Sequence, residues 1–283
     1  MKSVKSYAKI NLSLNILSKK EDGYHELDMI MVPVELHDSI VFTSRDKAIN
    51  DNFITVDDFA TGLIHYNLAS SAINALTAKY NKNDHFRVYI HKNIPMQAGL
   101  GGGSSNAAFA MKAVNNILKI NASDEELIDI ATPLGADIPF FIKCEPARCQ
   151  GIGEKIKSIN IKNNYYVLIV KPEAGCSTKE VFKKYDIVGG KEANIEDVIR
   201  ALEDGNDELL AKSMSNVLED AAIEIVPEIK EIKQYLYDAG LKIVMMSGSG
   251  SSVYGLSTDK SLLKKISKSI GDRWFNKLTK IIK

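Results

Sequence analysis

The sequence is short of cysteine and tryptophan and has no surplus of either charge. Its three cysteines, Cys144, Cys149 and Cys176, are odd in number and lack paired spacing. That excludes a disulfide framework and a structural zinc site, and fits reduced thiols in a cytoplasmic protein. Lys and Arg together number 36, as do Asp and Glu, so bulk electrostatics gives no reason to expect nucleic acid or an anionic membrane as partner. A local basic pocket survives that argument, because net charge averages over the whole surface. No uninterrupted apolar run approaches the ~20 residues that span a bilayer. The first residues include Lys2 and Lys5, but Lys9, Asn11, Ser13 and Asn15 interrupt any apolar core there, so a signal peptide is not expected. Internal repeats and low-complexity tracts are also missing.

What is present is a normal globular balance. With 283 residues, 45% of them hydrophobic, the chain can fill one large core or two ordinary ones. Residues 6–17 alternate, with Ile10, Leu12, Leu14 and Ile16 on one side and Asn11, Ser13 and Asn15 on the other, the period of a half-buried strand. Asp22-Gly23 signals a hairpin turn. Further strands are expected over 29–36, 39–43 and 86–90, a helix over 68–80, and a loop over the polar stretch 46–60. Ser123 followed by Glu126 is a capping box that opens a helix to residue 131. Beyond it, strands are expected over 165–170, 244–246 and 253–256. Helices are expected over 195–202, 207–213, 227–240 and 262–270, with Gly240 just past a helix end. The run 152–164 marks the expected boundary between two α+β domains, 1–155 and 156–283.

The most informative stretch is Pro95-Met96-Gln97-Ala98-Gly99-Leu100-Gly101-Gly102-Gly103-Ser104-Ser105-Asn106, directly before an apolar, helix-like run over 107–118. Glycine lets backbone approach a ligand and take positive φ. The first N–H groups of a helix lack intrahelical partners, and the macrodipole makes that end electropositive. Together these form an anion cradle, most often for phosphate. The stretch is not a Walker A motif, because no Lys-Ser/Thr pair follows at the right spacing. It is not a dinucleotide fingerprint either, since Ser104 replaces the last glycine. Two hydroxyls at a helix start can cap the helix or ligate phosphate or Mg²⁺.

Four other places carry chemistry, each with a plainer alternative. Lys9, between Ala8 and Ile10, is either an edge lysine in water or a cation aimed into a cleft, able to stabilise an alkoxide or a phosphoryl group. Asp137, followed by Ile138-Pro139-Phe140-Phe141, is either a helix cap or a carboxylate in an apolar setting with Lys9 as partner. Tyr24 and His25, after the turn, are either packed loop residues or readers of a planar ligand. Ser247-Gly248-Ser249-Gly250-Ser251-Ser252 is either a β-turn or a second set of amides that holds phosphate or shapes the substrate side.

The order of these pieces resembles the three motifs of the galactokinase, homoserine kinase, mevalonate kinase and phosphomevalonate kinase superfamily. Within it, Ala8-Lys9-Ile10-Asn11-Leu12, Gly23-Tyr24-His25-Glu26-Leu27, residues 99–108 and Gly135-Ala136-Asp137-Ile138-Pro139-Phe140 are most similar to the 4-diphosphocytidyl-2-C-methyl-D-erythritol kinase family. The likeness runs over almost the whole chain, and the Gly-Tyr-His element is its most specific part. It implies an α+β, two-domain small-molecule kinase fold with the active site in the interdomain cleft. It implies transfer of the γ-phosphoryl group of ATP to the 2-hydroxyl of 4-diphosphocytidyl-2-C-methyl-D-erythritol, on the non-mevalonate route to isoprenoid precursors.

By the same resemblance Lys9 and Asp137 are catalytic. Pro95, Met96, Gly99, Leu100, Gly101, Gly102, Gly103, Ser104 and Ser105 hold the triphosphate, and Asn67 lies by the adenosine. Asn11, Tyr24, His25, Thr178 and Phe182 bind substrate, with Tyr24 and Phe182 supplying stacking rings. ATP chemistry implies Mg²⁺, with Ser105 as its candidate contact. The alternatives are homoserine or mevalonate kinase, or a nucleotide-binding regulator without catalysis. A nicotinamide dehydrogenase is disfavoured by the missing fingerprint.

Overall fold

The period-two alternation at the start of the chain yields a long strand, β1 (Lys2–Lys19), which pairs with a second, β2 (His25–Asp46). The computed structural model describes residues 2–21, 23, 25–46, 52–57 and 67–283. Gly23 lies in the connection at φ +86°, and its N–H donates to the Lys20 carbonyl. Asp22, the other half of the expected turn, falls outside the described residues. β2 is one strand where the sequence suggests two. The reason is Asp38, which reads as a break but is fully buried. Its carboxylate accepts the N–H groups of Asn93 and Ile94, both at 2.8 Å, and pairs with Lys92. A buried acid so well supplied with donors can sit in mid-strand.

The chain forms two compact units. The first comprises Met1–Ala8, His37–Pro95 and Gly101–Cys144; the second comprises Lys9–Leu36, Met96–Leu100 and Glu145–Lys283. The expected split at 155 follows chain order. These units instead follow strand pairing, so residues 9–36 and 96–100 fold with the second half of the chain.

In the first unit β3 (Phe53–Asp57) runs parallel to β4 (His85–His91), and β4 is antiparallel to the C-terminal part of β2. β3 corrects the reading of 46–60 as loop. It is only five residues long, too short to show its period among polar neighbours, yet Ile54 is buried. The helices are α1 (Leu68–Lys79), α2 (Gly102–Ile117), α3 (Asp124–Ala131) and α4 (Ile138–Lys143). Helix α2 packs on both α1 and α4. Ala69, Ala72, Ile73 and Leu76 form the buried stripe of α1 at helical spacing. The expected capping box opens α3: Ser123 Oγ accepts from Glu126 N at 3.2 Å, and Ser123 N donates back to Glu126 at 2.9 Å.

In the second unit the N-terminal part of β2 pairs with β5 (Ala147–Gly151), and β5 with β6 (Lys155–Ser158). Arg148 grips Asp28 through two nitrogens, at 2.9 and 2.6 Å, and so ties β5 to β2. A separate antiparallel sheet contains β7 (Tyr166–Lys171), β8 (Ile243–Met246), β9 (Val253–Ser257) and β10 (Phe275–Lys280), in the order β10-β7-β9-β8. Around it lie α5 (Thr178–Val188), α6 (Ile195–Asp204), α7 (Asp207–Ser213), α8 (Glu219–Ile225), α9 (Glu228–Asp238) and α10 (Lys260–Ile270). Val167 to Val170 are fully buried, the continuous apolar run of a central strand covered on both faces. β5, β6, β10, α5 and α8 carry no clear periodic signal in the sequence, and β6 lies inside the run expected to be a boundary.

Candidate active site

The first unit supplies a bare helix end. α2 begins at Gly102, earlier than the apolar run suggests, and Gly101 stands at its N-cap at φ +70° without a side-chain cap. The first ladder bond runs from Ser105 N to Gly101 O at 2.8 Å. The N–H groups of Gly102, Gly103 and Ser104 therefore precede the ladder. This corrects the reading of the two serines as caps, since both lie inside the helix. Ser105 is fully buried, and its hydroxyl donates to the Tyr7 carbonyl at 2.6 Å. A Cβ placed on Gly103 would stand 3.8 Å from Leu68 Cδ1, so the starts of α1 and α2 are neighbours. Asn67 caps α1, its Oδ1 accepting from Ala69 N at 2.8 Å. Two electropositive helix ends thus lie side by side, and Gly103 is exposed between solvent and the helix.

Asp38 prepares the approach to this end by fixing residues 92–94, just before Pro95. Sequence reasoning misses it because an acid between two strand-like runs looks like a turn. Asp137 occupies the N-cap position of α4 but makes no side-chain cap bond there, so the capping alternative fails. It is half-buried at the edge of an apolar cluster, Ile138 to Ile142, that is fully buried or nearly so.

The second unit supplies an interlocked frame. Lys9 is 4% exposed, which removes the reading of an edge lysine in water. Its Nζ donates to Asn11 Oδ1 at 2.6 Å, and its N–H to the Leu100 carbonyl at 3.0 Å. Gly99 is at φ +72°, and a Cβ there would come within 1.9 Å of Ser247 O. Ser247 Oγ donates to Gly99 O at 2.9 Å and accepts from Asn11 N at 3.3 Å. A Cβ on Gly248 would lie 3.1 Å from Lys9 Nζ. The second glycine loop is therefore more than a turn: it packs on the 96–100 segment and on the strand that carries Lys9.

A third segment, 172–178, completes the frame. Cys176 N donates to Gln97 O at 3.2 Å, and Ser251 Oγ to Ala174 O at 2.6 Å. The hydroxyls of Thr178 and Ser249 share a hydrogen bond of 2.9 Å. Beneath it Lys171 donates to the carbonyls of Pro172, Glu173 and Ala174, and burial pulls its pKa down. Asn216, which the sequence does not single out, braces the second loop by donating to Met246 O at 3.0 Å and Gly248 O at 2.8 Å.

The substrate-side residues gather in the same unit. His25 opens β2, and its ring lies 4.9 Å from that of Phe182 on α5, with the planes inclined by 37°. Thr178 is one turn earlier on that helix. Tyr24 falls outside the described residues. So Lys9, Asn11, Gly99 and Leu100 come together, as do His25 and Phe182, while Asn67 stands by Gly103 in the other unit.

The described residues do not form a protein-built Mg²⁺ cage. Among them no group of three or more His, Cys, Asp or Glu side chains can hold a metal ion, and the Ser105 hydroxyl donates its proton to the Tyr7 carbonyl while keeping its lone pairs.

Comparison with known proteins identifies the family. Residues 67–145 match the GHMP kinases N terminal domain, and residues 198–276 match the GHMP kinases C terminal domain. The 4-diphosphocytidyl-2-C-methyl-D-erythritol kinase of Clostridium tetani is 38% identical over 255 residues, 89% of each chain. That of Caldicellulosiruptor bescii is 38% identical, covering 91% of this chain and 90% of its own. A crystal structure of 4-(cytidine 5'-diphospho)-2C-methyl-D-erythritol kinase superposes with a TM-score of 0.81 at 27% identity, covering 99% of both chains. Homoserine kinase from Cytophaga hutchinsonii, at 16% identity and a TM-score of 0.71, shares the fold. With relatives this similar over nearly the full length, the chain belongs to the 4-diphosphocytidyl-2-C-methyl-D-erythritol kinase family.

Proposed function

We propose that this chain transfers the γ-phosphoryl group of ATP to the 2-hydroxyl of 4-diphosphocytidyl-2-C-methyl-D-erythritol, on the non-mevalonate route to isoprenoid precursors. The observation that carries the reading is the match to a relative named for that kinase, 38% identical over 89% of each chain. In the reaction the hydroxyl oxygen bonds to the γ-phosphorus as the bond to the β–γ bridging oxygen breaks and ADP leaves. Asp137 takes the hydroxyl proton. It need not be a strong base, because phosphoryl transfer is loose and depends mainly on positioning and charge. Lys9, held by Asn11, counters the charge on the attacking oxygen.

The free N–H groups at the start of α2, with Pro95, Met96, Gly99, Leu100 and Gly101, cradle the triphosphate, and Asn67 sits by the adenosine. Ser105 supports that helix end from below. Tyr24, His25 and Phe182 hold the cytosine, with Asn11 and Thr178 on the substrate side. Mg²⁺ would be held chiefly through the nucleotide's phosphates and water, with Ser105 as the candidate protein contact, and would offset the charge of the triphosphate. We place the reaction in the cytoplasm, where the free cysteines stay reduced. No helix of the described residues is long and apolar enough to cross a membrane.

A coupled ADP-release assay across a substrate panel tests this. Turnover is expected with the cytidylyl-erythritol substrate and not with homoserine, mevalonate or phosphomevalonate. Turnover confined to one of the latter three overturns the reading.

A further inference from the structure

We infer that Asp186 is a positioning residue for pyrimidine recognition, clamping His25 against Phe182 and setting which ring nitrogen carries the proton. The inference rests on the proposed cytidine-containing substrate. Asp186 Oδ1 lies 2.7 Å from His25 Nε2, and Asp186 Oδ2 lies 2.5 Å from Lys19 Nζ. Phe182 and Asp186 are four residues apart on α5, and so share one face of the helix. That face offers the same imidazole a ring at 4.9 Å and a carboxylate, while Tyr185 adds an edge-on ring at 6.5 Å. The His25 side chain is 8% exposed, so it is held from several sides at once.

The chemistry of the clamp follows from charge. The hydrogen bond from Lys19, and then that from His25, hold the Asp186 carboxyl below its ordinary range. An ionised carboxylate only accepts hydrogen bonds, so the proton between the two residues belongs on Nε2. In the neutral ring Nδ1 is then the acceptor. Cytosine presents an amino donor where thymine, like uracil, presents a carbonyl acceptor. A ring nitrogen fixed as an acceptor suits the amino group and leaves the carbonyl without a donor. Asp186 and Lys19 are partly exposed, and exposed ion pairs contribute little to stability. The clamp is therefore better explained by His25 orientation than by folding.

The test measures kcat and KM at pH 8 for the cytidylyl substrate, its uridylyl counterpart and ATP, with melting temperature alongside. Asp186→Ala is expected to raise KM for the cytidylyl substrate about ten-fold, the effect of one lost hydrogen bond at a binding site. Its kcat, its KM for ATP and its melting temperature stay close to the parent values, and its preference for cytidine over uridine narrows. Asp186→Glu restores most of that preference. An unchanged KM in Asp186→Ala, or an equal rise in KM for ATP, overturns the inference. His25→Ala and Phe182→Ala separate the two levels. If they raise KM and Asp186→Ala does not, the clamp alone is wrong; if none of the three changes KM, the cytosine site falls with it.

Discussion

Gly99 and Ser247 meet main chain to main chain: the Ser247 carbonyl occupies the space that a Cβ on Gly99 would need, 1.9 Å away. The contact joins two loops 148 residues apart, and the Ser247 hydroxyl closes it by donating to Gly99 O. Gly99→Ala then meets both a steric clash and a backbone at φ +72°. We expect a loss of about 2–4 kcal/mol in urea unfolding, within the range of overpacking and backbone-strain mutations. A stability equal to the parent's would mean that the two loops do not touch.

Asp137→Asn keeps the shape of the side chain and removes its capacity to take a proton. The expected result is a fall in kcat of about 10²–10⁴, with ATP affinity by calorimetry little changed. Lys9→Met is expected to lower kcat by about 10²–10³ through lost charge stabilisation. An ATP affinity that falls in parallel with kcat would assign either residue to nucleotide binding instead.

Asp38→Ala strands the largely buried Lys92 ammonium and the buried Ile94 N–H, and removes the acceptor of the Asn93 N–H. Removing one partner of a buried pair costs roughly 3–5 kcal/mol, and a drop of that order is expected in equilibrium unfolding. A change well under about 1 kcal/mol would contradict the burial of this cluster.

Much of the candidate site is legible in the sequence because its residue types are chemically unusual for their surroundings. Lys9 in an apolar strand, the 99–105 run and Asp137 before Ile-Pro-Phe-Phe all stand out that way. Long periodic elements such as β1, α1 and α9 are legible for the same reason, since many residues repeat one signal. What is not legible depends on contacts across the chain. Asp38 looks like a turn until Asn93 and Ile94 are seen to donate to it. Asn216 is an ordinary asparagine until Met246 and Gly248 turn their carbonyls toward it. Ser104 and Ser105 look like caps, because the sequence does not show that Gly101 already fills that position. β3 and β6 are too short for a period to emerge.

Cys176, like Cys144, weakens the fold at alkaline pH. Burial pushes its thiol from an ordinary 9.0 to about 11, so the unfolded chain loses that proton first. The contribution to stability is full below pH 9 and is lost as pH rises toward 11, at a cost of at most about 3 kcal/mol, which solvent screening of the thiol lowers. Lys171 works in the opposite sense, since burial lowers its pKa and deprotonation relieves the buried charge. Cys176→Ser isolates the thiol: denaturation midpoints measured between pH 8.5 and 10.5 are expected to fall less steeply than in the parent. Identical slopes would place the thiol in contact with water.

The second unit borrows residues 9–36 and 96–100 from the first half of the chain. A polypeptide that starts at residue 156 would carry Asn216 and Ile281 without Leu14 and Val34, the residues they bridge, and would lack Lys9. The gene therefore cannot be parsed into two separately expressed modules at its midpoint. Shuffling the C-terminal half between relatives requires the early strand segments to travel with it.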